Sequence, residues 1–241
     1  MNPRASASSM LRAVISVALL GTALLGPFLN TARAWRAADD LDAGVVSVAM
    51  LTYGAERKSS ICFSDSFLKL TARETEIKVD RSFRRVALDS EELFDHPFAV
   101  MTGEGAFEAT DAEVANLRRY LTRGGFLLAS AGCSNAAWGA SMRRTLLRVF
   151  PDSGESELKQ LPLDHPVFQT IYDITEFQSK QRERVVRIFG IEVDGRLCVV
   201  FSPEGLNDTA NAGGGCCCCG GNEIRNAKYI NANILAYALM K

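Results

Sequence analysis

The chain has 241 residues and a mass of 26.2 kDa, enough for one domain with a tail. Hydrophobic residues at 47% and charged residues at 23% exclude a wholly disordered chain, a fibre and a polytopic membrane protein. A net charge of -1 carries no basic excess, so no nucleic-acid partner is expected.

Arg4 and Arg12 are the only charges before residue 33, and Ala13 to Gly26 is apolar or small throughout. That run is shorter than the roughly 20 apolar residues a membrane-spanning helix needs. Pro27 breaks it, and Thr31-Ala32-Arg33-Ala34 supplies a small-x-small cleavage pattern. Together these features read as a secretory signal peptide over residues 1–34. An acidic lead-in linker over 35–44 and one domain over 45–241 follow. Left uncleaved, the signal segment is the only expected attachment to a membrane. Cleavage after Ala34 leaves 207 residues with a net charge of -4. The expected setting is periplasmic or otherwise exported, where thiols tend to oxidise.

Val45 to Leu51 is a short apolar, β-branched run, the pattern of a buried strand. Tyr53 to Ser60 reads as a polar loop, Ser64 to Thr75 as a helix and Arg85 to Leu88 as a short strand. Pro97 to Thr102 is a second core strand, closed by Gly103-Glu104-Gly105. Thr110 with Glu113 three residues on opens a helix over 111–122, which Gly124-Gly125 ends. Phe126 to Ala129 marks a third core strand, expected over 125–130, and a helix is expected over 137–149. Val185 to Val193 and Arg196 to Phe201 read as strands joined by Asp194-Gly195, a hairpin signal. A small-residue loop, Ser202 to Gly221, leads to a final helix over 222–239. Strands alternating with helices predict an α/β architecture, a mostly parallel sheet with helices on both faces and a β-hairpin addition.

Ligands of open α/β sheets bind beyond the carboxyl ends of the strands. Four loops qualify: Tyr53 to Ser60, Gly103 to Phe107, Ala131 to Asn135 and Ser202 to Gly221. They offer Tyr53, Glu104, Asn207 and Asp208 as ligand-binding candidates, Glu104 also as an acid or base. Asn207 and Asp208 equally fit an Asx turn. Cys216, Cys217, Cys218 and Cys219 lie between two glycine runs. Three chemistries fit them. They are candidate ligands of a soft metal such as Zn or Cu. They are equally candidates for structural disulfides in an oxidising compartment. A redox or nucleophilic thiol is the third reading, favoured if Asn222 caps the last helix and turns its positive end toward them. Cys133 follows a strand and opens a helix, where a catalytic nucleophile elbow sits. It is expected to share one cleft with the Cys loop. Cys62 and Cys198 read as core fillers. His96 and His165 both occur in Asp-His-Pro, a turn signal.

Six segments carry a family resemblance: F-A-V-M-T-G at 98–103, Y-L-T-R-G-G-F-L-L at 120–128, L-P-L-D-H-P-V-F at 161–168, G-I-E-V-D-G-R-L at 190–197, S-P-E-G-L-N-D at 202–208 and N-A-N-I-L-A-Y-A-L at 231–239. On them the chain resembles the domain-of-unknown-function family 4159. That family is similar in fold to class I glutamine amidotransferases, which implies a flavodoxin-like three-layer sandwich. It also implies that Cys133 occupies the elbow position. The amidotransferase triad pairs that Cys with a His and a Glu, but no H-x-E occurs in this chain, so the triad is incomplete. Some relatives are joined to membrane segments of cell-envelope systems, which implies cell-envelope protein partners. Three functions stay open: an exported ligand- or metal-binding domain, a thiol-dependent hydrolase or redox enzyme, and a disulfide-stapled structural interaction domain.

Overall fold

The computed structural model describes residues 44–151, 158–181, 185–213, 216 and 223–240. Seven strands form one sheet in the order β2-β1-β3-β4-β7-β6-β5. Its parallel part comprises β1 (Val46–Thr52), β2 (Val79–Ala87), β3 (Phe98–Gly103), β4 (Phe126–Ala131) and β7 (Arg196–Ser202). The antiparallel addition is β5 (Lys159–Gln160) and β6 (Phe189–Val193). The parallel order is that of a flavodoxin-type doubly wound sheet, with the switch point between β1 and β3.

Strand side chains alternate between two cores, as a pleated sheet covered on both sides requires. Val48, Met50, Phe98, Val100, Phe126 and Leu128 face one core with helices α1 (Ser66–Glu74) and α4 (Ala227–Met240). Ala49, Leu51, Ala99, Met101, Leu127 and Ala129 face the other, covered by α2 (Asp111–Thr122) and α3 (Ala136–Val149). All twelve are buried, and each large one contributes about 1.5–3 kcal/mol by leaving water. The result is the expected three-layer α/β sandwich. No helix among the described residues is long and apolar enough to cross a membrane.

Local signals fix the element ends. Thr110 Oγ1 accepts from Glu113 N–H while Glu113 Oε2 accepts from Thr110 N–H, a capping box worth about 1 kcal/mol. The other oxygen of Glu113 accepts from Gly54 N–H at 2.8 Å, so the cap also holds the loop after β1. Asp194 and Gly195 take φ of 52° and 75°, the paired positive values of a tight β6–β7 hairpin. In that hairpin Ile191 pairs with Val199 but Glu192 pairs with Leu197. Cys198 is therefore the extra residue of a β-bulge, which turns both Cys198 and Val199 toward the same core.

Three boundaries differ from the sequence reading. The strand expected at Arg85–Leu88 runs from Val79 to Ala87, because an edge strand bonded only to β1 leaves Arg81, Ser82, Arg84 and Arg85 in water without loss. The strand expected from Val185 begins at Phe189. The last helix begins at Ala227, not at residue 222. Before it, Ile224 bridges to Ser179, and Asn226 binds the 176–178 segment through its side chain. Asn222 lies outside the described residues, and the positive end of α4 therefore starts at 227, eight residues after Cys219.

Candidate functional site

Parallel strands place β1, β3, β4 and β7 with their carboxyl ends on one edge of the sheet, so the loops that follow them meet there. Beside the switch point this edge is filled by the chain's own rings. Tyr53, Phe107 and Trp138 pack together, with Tyr53–Phe107 centroids 4.7 Å apart and Phe107–Trp138 centroids 5.7 Å apart. Trp138 Nε1 donates to the Tyr53 hydroxyl, which donates to Thr102 O at 2.8 Å. Burial pushes the Tyr53 phenol up to about 12, with the Trp138 hydrogen bond opposing. Tyr53 is thus a neutral structural hydroxyl. Gly103 makes this packing possible, since a Cβ there would overlap the Tyr53 hydroxyl and the Trp138 indole.

One strand further along, a buried polar network replaces the rings. Ser130 Oγ donates to Asn207 Oδ1 at 2.6 Å and accepts from Leu206 N–H at 2.7 Å. Asn207 Nδ2 donates to Thr102 Oγ1 at 2.9 Å. All three side chains are buried, and every one of these bonds ties the segment after β7 to the ends of β3 and β4. Asp208, in the left-handed region at φ 53°, accepts from Ser66 Oγ at 2.6 Å and from Asn211 Nδ2 at 2.8 Å. Ser64 N–H donates to Asn207 O, and Ser64 Oγ donates to Asn211 O. On the far side, Asn231 Nδ2 of α4 donates to Leu206 O at 2.7 Å. The polar groups of Asn207 and Asp208 that these bonds engage face the chain itself, as the Asx-turn reading of this segment implies.

A covalent bond extends the same contact. Cys62 and Cys216 form a disulfide with Cα atoms 5.0 Å apart, across 154 residues of sequence. Cys62 stands two residues before Ser64, and Cys216 stands five after Asn211. The disulfide therefore joins the two segments that the Ser64 and Asp208 bonds already hold. Cys62 corrects the sequence reading: it is a crosslink, not a core filler. For Cys216, a sulfur bonded to sulfur has no thiolate to offer a metal, so the soft-metal set does not include it in this state. Cys217, Cys218 and Cys219 lie outside the described residues.

Cys133 stands at the elbow after β4 with φ 50° and ψ 33°, and Ser134 follows at φ 53°. Two consecutive non-glycine residues in the left-handed region are uncommon, and local bonds hold them. Ser134 Oγ donates to Glu204 O at 2.6 Å, and Asn135 N–H donates to Gly132 O at 2.9 Å. Gly205, at φ 99°, lets its backbone lie against Ala131 O, where a Cβ would collide. Cys133 is disulfide-bonded, which removes the free thiol that a nucleophile needs. Its Sγ lies 3.7 Å from Glu104 Oε1 of the exposed Glu104 after β3. Cys198 keeps a free thiol, and burial in the bulge pushes it up to about 12. It is unreactive packing material.

Neither histidine joins this edge. His96 precedes β3 at the opposite end, where its carbonyl accepts from the Tyr120 hydroxyl. His165 Nδ1 accepts from Val167 N–H at 3.1 Å, and its ring packs near Phe168 and Tyr237. The residues that organise the edge without having been singled out from sequence are Thr102, Ser130, Ser64 and Glu204. Glu204 is buried and accepts from Arg187 N–H at 3.3 Å.

The fold and this edge define a class: a doubly wound α/β sandwich whose ligand-side loops are closed by aromatic packing, buried amides and disulfides. Residues 48–239 match the family described as Domain of unknown function (DUF4159), and the chain belongs to that family. No curated protein matches it.

Proposed function

We propose that this chain is an exported binding domain of the cell envelope, whose recognition surface is the carboxyl edge of the sheet. The observation that carries the reading is the Cys62–Cys216 disulfide. A crosslink of this kind persists in oxidising compartments, and the charged, apolar and A-x-A pattern of residues 1–34 supports delivery to one. It ties Cys216, after β7, to Cys62, after β1, and so constrains the described part of this edge. A surface held in its bound form loses less entropy on association than a mobile one. Glu104 gives this surface an outward carboxylate. Catalysis by Cys133 needs a reduced thiol and a base. With Cys133 held in a disulfide, the edge supports binding better than turnover.

A photo-crosslinker at position 104 of the exported protein tests the binding reading. It is expected to capture one discrete envelope partner or ligand, and to lose it in the variant carrying Cys62→Ser and Cys216→Ser. A crosslinking pattern unchanged by that variant, or none at all, contradicts the reading.

The second reading, a thiol enzyme, is favoured by one geometry: the elbow position of Cys133 with Glu104 Oε1 3.7 Å from its sulfur. It requires prior reduction. Alkylation of Cys133 in reduced protein, followed by loss of a thiol-dependent activity, decides for it.

A further inference from the structure

Strand β2 ends the sheet on one side, and among the described residues it pairs only with β1. Leu88 N–H donates to Thr52 O, so alternate residues 84, 86 and 88 direct their backbone groups at β1. Phe83, Arg85 and Ala87 direct theirs outward, and among the described residues only Ala87 O of these is engaged, by Ser90 N–H. The outer edge thus offers a short row of open donors and acceptors. Natural sheets protect such an edge by shortening it, as β5 does with its two residues, or by bulges and charged side chains. β2 instead runs for nine residues, and its wall is cationic.

Lys78, Arg81, Arg84 and Arg85 are exposed, against the single acid Asp80 in that stretch. Asp80 is engaged by Arg84 at 3.2 Å. Arg81 and Arg85 make no ion pair among the described residues. Arg85 follows Phe83 on the same face of the strand, and Arg81 lies in the irregular stretch between Val79 and Phe83. Phe83 is half-buried against Phe63 and Phe67, with centroids 6.1 Å and 6.0 Å away. Its packing anchors the middle of the edge.

We propose that β2 is a docking edge for an extended acidic peptide segment, which adds to the sheet as a further strand. Its backbone bonds Phe83 and Arg85, and its carboxylates meet Arg81 and Arg85. Strand addition takes affinity from main-chain bonds and specificity from side chains at alternate positions. A second copy of this chain fits poorly, because two β2 edges would bring the same arginines face to face. This site lies at the sheet's side and is independent of the carboxyl-edge reading above.

The test uses protein purified from expression of the full chain and a fluorescein-labelled heptapeptide of alternating Glu and Val. A second peptide of the same sequence carries N-methyl groups on alternate amides. It keeps the charge and cannot complete the strand bonds. The expected result is saturable binding of the first peptide, weakened about tenfold by Arg81→Glu with Arg85→Glu, and lost with the methylated peptide. Circular dichroism checks that the variant is folded, as exposed positions allow. Absent binding, or binding that the methylated peptide reproduces, overturns the proposal. Self-association through β2, seen by sedimentation and abolished by the same substitutions, overturns it in favour of a second copy.

Discussion

Replacing Cys62 and Cys216 together with serine removes the crosslink without leaving an orphan thiol. The loop it closes spans 154 residues. In the chain-entropy account, closing such a loop in the unfolded chain costs about 5 kcal/mol of entropy at 25 °C. That is an upper figure here, because the bond at Cys133 already restricts the unfolded chain. A domain of roughly 200 residues unfolds with an entropy of about 0.4 kcal/mol/K, so the full loss lowers Tm by about 12 °C. Thermal unfolding followed by circular dichroism, on protein expressed from the full chain and purified without reductant, measures it. Each single serine variant is expected to lose nearly as much as the double, since either removes the same bond. Single effects that add, or a double variant within about 2 °C of the parent, refute the crosslink as a stabilising element.

Three other outcomes follow from the same geometry. Gly103→Ala should cost about 1–3 kcal/mol in urea unfolding by overpacking Tyr53 and Trp138, and adding Tyr53→Phe should recover part of it. Asn207→Ala should cost about 3 kcal/mol, because it strips partners from the buried Ser130 and Thr102 hydroxyls, whereas Glu76→Ala, at an exposed position, should change little. Burial holds the His165 imidazole below its ordinary 6.5, with Glu192 and Asp164 opposing. The unfolded chain therefore takes up the proton first, and this contribution is present above pH 6.5 and lost as pH falls below it. His165→Asn, which retains a capping acceptor for Val167 N–H, should flatten that part of the stability–pH curve measured by urea unfolding.

The parts of the fold legible in the sequence were those where both faces of a strand are buried or a cap is written locally. β1, β3, β4 and β7 show as apolar runs because each is covered twice. Helix α2 shows through Thr110 and Glu113, and its 111–122 span matches. β2 is only partly visible because its pattern needs apolar residues at Val79, Phe83 and Val86 alone. The carboxyl edge was legible as a place, since topology alone sends the loops after β1, β3, β4 and β7 to it. Its contents were not. Asn231 and Asn233 read as polar interruptions of a helical stripe, yet both are fully buried. Asn233 Oδ1 accepts from Ile171 and Tyr172 N–H, and its Nδ2 donates to Phe168 and Tyr172 carbonyls. Nothing local marks such pairings, which span more than sixty residues. Cys62 is the same case: one cysteine in a polar loop has no sequence sign of a partner 154 residues away.

Covalent closure of the edge is tested by peptide mapping of protein expressed from the full chain and purified without reductant. Free thiols are blocked by alkylation in denaturant, the chain is digested without reductant, and the peptides are weighed. A linked pair containing Cys62 and Cys216, a disulfide-linked and unalkylated Cys133 and an alkylated Cys198 are expected. Alkylated Cys62 and Cys216 in protein never exposed to reductant contradict covalent closure.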